Sequence, residues 1–111
     1  MVNQRIDEPA RRTNDQGQVA VLISHGYGAG WYTWHGIYEL LWDPTVVDMV
    51  LNQRPNEEIV DYCSRVYGEQ YWGGVDGLAV HWLDPGTEFR IDEYDGSEHY
   101  VLKTSESWLT A

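Results

Sequence analysis

The segment Ser24-His25-Gly26-Tyr27-Gly28-Ala29-Gly30-Trp31-Tyr32-Thr33-Trp34 places three alternating glycines and four aromatic rings directly behind the apolar run from Val19 to Ile23. Glycine lets backbone approach a neighbouring group closely and expose its N–H donors, which can cradle an anion even without lysine. Trp and Tyr present rigid faces that stack on planar ligands or anchor a partner. Together these residues predict one wall of a pocket for a small planar or nucleotide-like ligand, formed by His25, Gly26, Tyr27, Gly28, Gly30, Trp31 and Trp34. Trp72 and Gly73 are expected to close it, and Arg90 to supply positive charge. His25 sits at a strand end, where functional groups are often held on a rigid element. As a general base it would need a nucleophile and an orienting carboxylate. The adjacent Ser24 would point to the other side of the strand, so no catalytic residue is assigned.

The chemistry that spacing excludes is more definite. Val21-Leu22-Ile23-Ser24-His25-Gly26-Tyr27-Gly28 superficially resembles the strand and His-Gly loop of α/β-hydrolases, but no G-x-S-x-G elbow follows. A chain of 111 residues is also too short for that sheet. The glycine spacing fits neither the dinucleotide fingerprint nor the P-loop. His25, His35, His81 and His99 form no H-E-x-x-H pair, and Cys63 is the single cysteine, so neither a disulfide nor a zinc motif can be written. No metal or cofactor is assigned, although ligands can converge in space. The acidic run from Asp92 to Glu98 lacks the spacing of a calcium loop and reads as a hairpin with a charged solvent face.

Six Trp and eight Tyr stand against one Phe, a balance suited to half-wet surfaces and predicting self-association, most simply as a dimer. The formal charge of −11 is carried by residues 39–111, where fifteen acids face four bases. Such a surface repels nucleic acid and attracts basic partners. With no long apolar run and no hydrophobic N-terminal region, no membrane association is expected, and the chain reads as a cytoplasmic protein.

These residues must be positioned by a small set of elements. Residues 1–17 read as a flexible leader and 18–111 as one α+β domain. The continuous apolar character of Val19 to Ser24 predicts a central strand covered on both faces. A short helix is expected from His35 to Trp42, and a second from Pro44, capped by Asp43, to about Asn52. The main helix runs from about Asn56 to Gln70, with Ile59, Cys63, Val66 and Tyr67 on its apolar stripe. Leu78 to Leu83, Glu88 to Tyr94 and His99 to Leu102 then form a three-stranded meander, with Asp84-Pro85-Gly86 and Asp95-Gly96-Ser97-Glu98 as its turns. The expected architecture is a four-stranded mixed or antiparallel sheet with two to three helices packed on one face.

The pattern Ile23-Ser24, Gly28-Ala29-Gly30-Trp31, Thr33-Trp34, Asp43-Pro44, Gly73-Gly74, Pro85-Gly86-Thr87 and Ile91-Asp92-Glu93-Tyr94-Asp95-Gly96-Ser97-Glu98 resembles a family of small uncharacterised proteins of tailed bacteriophages and prophages. The resemblance spans roughly residues 19–100. Members usually carry Thr where this chain has His25. It implies a phage setting, hence the host cytoplasm, and an accessory binding role rather than an enzyme. Such a role would be to trap a host signalling nucleotide as an anti-defence protein. The alternative is an acidic inhibitor that meets a basic host nucleic-acid enzyme.

Overall fold

The computed structural model describes residues 9–103. Four strands, β1 (Val19–Ser24), β2 (Leu78–Leu83), β3 (Phe89–Tyr94) and β4 (Ser97–Leu102), are joined by helices α1 (Tyr32–His35), α2 (Pro44–Leu51) and α3 (Asn56–Tyr67). Single 3-10 turns cover Tyr38–Leu41 and Gly73–Gly77. The class is α+β, and all strand pairing is antiparallel.

The strands form two two-stranded sheets, β1–β2 and β3–β4, rather than one continuous sheet. β1 and β2 pair from Val19 opposite Leu83 to Ser24 opposite Leu78. The sequence signals for β2, β3 and β4 are all correct, but β2 does not pair with β3. The Asp84-Pro85-Gly86-Thr87 turn, closed by Thr87 N–H donating to the Asp84 carbonyl at 3.1 Å, leads the chain from one sheet into the next layer. At the other turn, Asp95 and Gly96 adopt φ of 50° and 87°, the two positive values of a tight two-residue hairpin. β4 therefore starts two residues earlier than its apolar pattern suggested.

Alternation along β1 divides the interior. Ala20 and Leu22 face a core shared with Trp31, Leu40, Val46, Val47, Ile59, Cys63, Trp72 and Val75. Val21 and Ile23 face a second core with Leu41, Trp42 and Leu83, packed against Phe89, Ile91 and Tyr100 of the β3–β4 hairpin. The layers are thus helices, β1–β2, then β3–β4. β1 is buried on both faces, as its continuous apolar run required.

Local rules explain the helix ends. Asp43 accepts from the Thr45 and Val46 amides at 2.9 and 3.2 Å, capping α2 with Pro44 in its first turn. α3 stops at Tyr67 because Gly68 leaves helical geometry with φ of 106°. Its buried stripe holds Ile59 and Cys63, whereas Val66, two turns beyond Ile59 on the same face, is 53 % exposed. The helix expected over 35–42 does not form: α1 ends at His35, Gly36 follows in a left-handed conformation at φ 67°, and only a 3-10 turn covers Tyr38–Leu41.

The described part of the expected leader lies against the domain. Thr13 bridges to Val19, the Ala20 amide donates to the Arg12 carbonyl at 2.9 Å, and Arg12 pairs with Asp48 of α2 at 2.6 Å. Residues 1–8 lie outside the described residues. No described helix is long and apolar enough to cross a membrane.

Candidate functional site

The glycine loop is organised around a carboxylate supplied by the chain itself. Glu98, next to the hairpin turn in β4 and 1 % exposed, reaches into the loop between β1 and α1. Its Oε1 accepts from the Ser24 amide at 3.0 Å. Its Oε2 accepts from the amides of Trp31 and Thr33 at 2.8 and 2.9 Å and from the Thr33 hydroxyl at 2.6 Å. An anion held by backbone donors is what the loop composition led us to expect, but here the anion is internal.

The glycines permit backbone-to-backbone contact around this carboxylate. A Cβ on Gly74 would run into the Gly30 carbonyl, and one on Gly96 into the Ala29 backbone. Gly26 backs onto Gly77, and the Gly28 amide donates to the Asp95 carbonyl at 2.6 Å. Gly73 lies against the Tyr71 ring. Trp31 is completely buried and donates its Nε1–H to the Leu40 carbonyl at 2.9 Å. Trp72 is also buried, with its ring 5.5 Å from that of Trp31 and 4.3 Å from that of His35. Both rings lie in the helix-side core, so their faces are turned to protein rather than to solvent.

Tyr27 and Trp34 stay at the surface, 74 % and 48 % exposed. Trp34 donates to the Glu93 carboxylate at 3.3 Å, and the same oxygen accepts from the Gly96 amide at 2.7 Å. Tyr94, immediately before the hairpin turn, is also exposed.

Arg90 lies elsewhere, beside a cleft of about 430 Å³ between the 32–42 segment and β3. Tyr32, Tyr38, Trp42 and Phe89 supply four rings to this cleft, and Leu41 and Ile91 complete its apolar lining. The Arg90 guanidinium donates to Asp92 at 3.0 and 3.3 Å while remaining solvent-exposed. Arg11 sits with its guanidinium carbon 4.1 Å from the centre of the Trp42 ring and donates to the Tyr38 hydroxyl at 3.1 Å. Sequence reasoning missed Tyr32, Tyr38, Trp42 and Phe89 as a group, because only the packing of β3 brings Phe89 to the rings of the 32–42 segment. The Tyr38-Glu39-Leu40-Leu41-Trp42 run carried the available signal, two rings flanking a buried Leu pair.

Two further groups of titratable side chains are assembled. Asp43, besides capping α2, accepts from the Tyr62 hydroxyl at 2.9 Å and the Tyr67 hydroxyl at 2.6 Å. Burial, and then the hydrogen bond to Asp43, push the Tyr67 pKa well above the ordinary phenol value, so Tyr67 stays a donor. Burial likewise pushes the Cys63 thiol up to about 12, with Asp43 adding to the effect, which disfavours the thiolate, and Cys63 packs in the helix-side core. Across the β1–β2 ribbon, the Nε2 atoms of His25 and His81 lie 2.7 Å apart, close enough that one ring's N–H donates to the other's lone pair. Burial, and then His25, lower the His81 pKa below the usual imidazole value.

No known protein family, curated protein or solved structure matches the chain.

Proposed function

We propose that this protein is a binding protein whose aromatic cleft takes a small planar, nucleotide-like ligand. The single observation that carries the reading is the convergence of Tyr32, Tyr38, Trp42 and Phe89 on a cleft of about 430 Å³ with Arg90 at its edge. That volume falls within the roughly 300–1,000 Å³ of small-molecule sites. Ring stacking is worth about 1–3 kcal/mol per base. The net charge of −11 opposes a phosphorylated ligand in general. Arg90 and Arg11, on either side of the Trp42–Phe89 pair, would supply the positive charge that such a ligand needs. Arg90 would exchange its exposed Asp92 partner for the anionic group of the ligand. In the phage setting implied by the sequence resemblance, such a protein would act by sequestering a host signal. Titrating tryptophan fluorescence against cyclic and linear nucleotides tests this. Binding that weakens about tenfold or more in Tyr38→Ala and Arg90→Gln, with unchanged circular dichroism, supports it. A panel without binding removes it.

A second reading rests on a different observation. Tyr27, Trp34 and Tyr94 are exposed, and Trp34 donates to the Glu93 carboxylate, rings with acidic neighbours that suit a basic protein partner. On this reading the protein would block a basic host enzyme. Tyr27→Ala and Tyr94→Ala would then abolish capture of that partner and leave nucleotide titrations unchanged.

A further inference from the structure

We propose that His25 and His81 form a binding site for one borderline divalent cation of the zinc, nickel or copper type. The two residues are 56 positions apart in the chain, and the register of the β1–β2 ribbon brings them together. His81 lies opposite Val21, while the His25 amide donates to the Gly77 carbonyl at 2.9 Å, one rung beyond the end of β1. Between these rungs, on the same face, stands the small side chain of Ala79 opposite Ile23. Over Ala79 the two imidazoles lean together with ring centres 4.9 Å apart.

Imidazole nitrogen is the ligand that zinc, nickel and copper prefer over the harder cations. Two such nitrogens on a tetrahedral ion, each at about 2.0–2.1 Å, stand roughly 3.3 Å apart. The observed separation of 2.7 Å is therefore a hydrogen bond that must open by a few tenths of an ångström to admit the ion. His25 is exposed and flanked by Gly26, so rotation of its side chain supplies that movement. The pair is framed rather than open all round. Tyr100 of β4 packs edge-on to His81 with ring centres 5.3 Å apart, and the Ser97 hydroxyl holds the His25 carbonyl at 3.0 Å. No group of three or more metal-ligating side chains converges among the described residues, so water fills the remaining positions. A bound ion would bolt the entry of the glycine loop to β2.

The test uses chelator-stripped protein without an affinity tag, at pH 7.5, with Zn²⁺ and Ni²⁺ added separately. Calorimetry is expected to show one ion per chain, and metal at about a hundred times its dissociation constant should raise Tm by roughly 10 °C. His25→Ala and His81→Ala should each remove both effects, while His99→Ala, outside the pair, retains them. In the unaltered protein, nitrogen NMR should show the Nε2 signals of His25 and His81 shifting on Zn²⁺ addition. This holds the proposal to account even if a variant fails to fold. Absence of uptake at millimolar metal, uptake that survives in the double variant, or shifts confined to other histidines would overturn it. Nucleotide titration of metal-free protein is read separately, so failure of either proposal leaves the other standing.

Discussion

Glu98 is the residue on which the loop depends most directly. A buried carboxylate with four donors organises backbone that has little regular hydrogen bonding of its own, linking the hairpin to the end of β1 and the start of α1. Glu98→Gln keeps the shape but replaces one acceptor oxygen with a donor, so at least one buried N–H loses its partner. We expect a loss of about 3 kcal/mol, read as a lower urea midpoint with an unchanged slope. An unchanged midpoint would mean that the carboxylate does not order the loop. Asp43 plays a related part at the other end of the helical layer, where one side chain caps α2 and receives two tyrosine hydroxyls from α3.

At the scale of elements, the β3–β4 hairpin is attached to the rest of the fold by backbone proximity as much as by its apolar face. Gly96 has a positive φ of 87° and touches the Ala29 backbone, whereas Gly86, with φ of 81°, has nothing within 4 Å of where a Cβ would lie. The pair separates conformational strain from close approach. Gly86→Ala should cost about 1–2 kcal/mol for the dihedral alone, and Gly96→Ala about 3 kcal/mol because the clash is added. Chemical denaturation of both variants checks this, and equal losses would show that the hairpin can shift away from the loop at no cost. β4 is tied to β1 through the Glu98 side chain rather than through a ladder of backbone bonds.

For the whole molecule, aromatic surface and charge pull in opposite directions. Tyr27, Trp34, Tyr38, Tyr71 and Tyr94 are all substantially exposed, which favours association, while a net charge of −11 opposes it. We expect a dimer at tens of micromolar that strengthens as salt screens the charge. Light scattering at low and high ionic strength measures this. Monomer at both would show that these rings serve another partner or none.

The local order of elements was legible because it depends on neighbours in the chain. The apolar run of β1, the Asp43-Pro44 start of α2, the Leu78–Leu83 strand and the Asp95-Gly96 turn each carry a signal within a few residues. Val66 shows the limit of periodicity: it shares a spacing with Cys63, but the neighbouring layer does not extend to cover it. The three alternating glycines announced a loop of unusual backbone, and Trp31 announced an aromatic anchor. Neither revealed that Glu98, 67 residues beyond Trp31, would supply the anion or that Gly74 and Gly96 would supply the facing backbone. The sequence alone determined the four strands, α2 and α3 to within a few residues, since propensity, capping and alternation act over short range. Tertiary structure decided the rest: the split into two sheets, the burial of Trp31 and Trp72, the cleft beside Arg90 and the meeting of His25 with His81. Each of these depends on how distant segments pack, and one rung of register or one turn between layers changes which side chains meet.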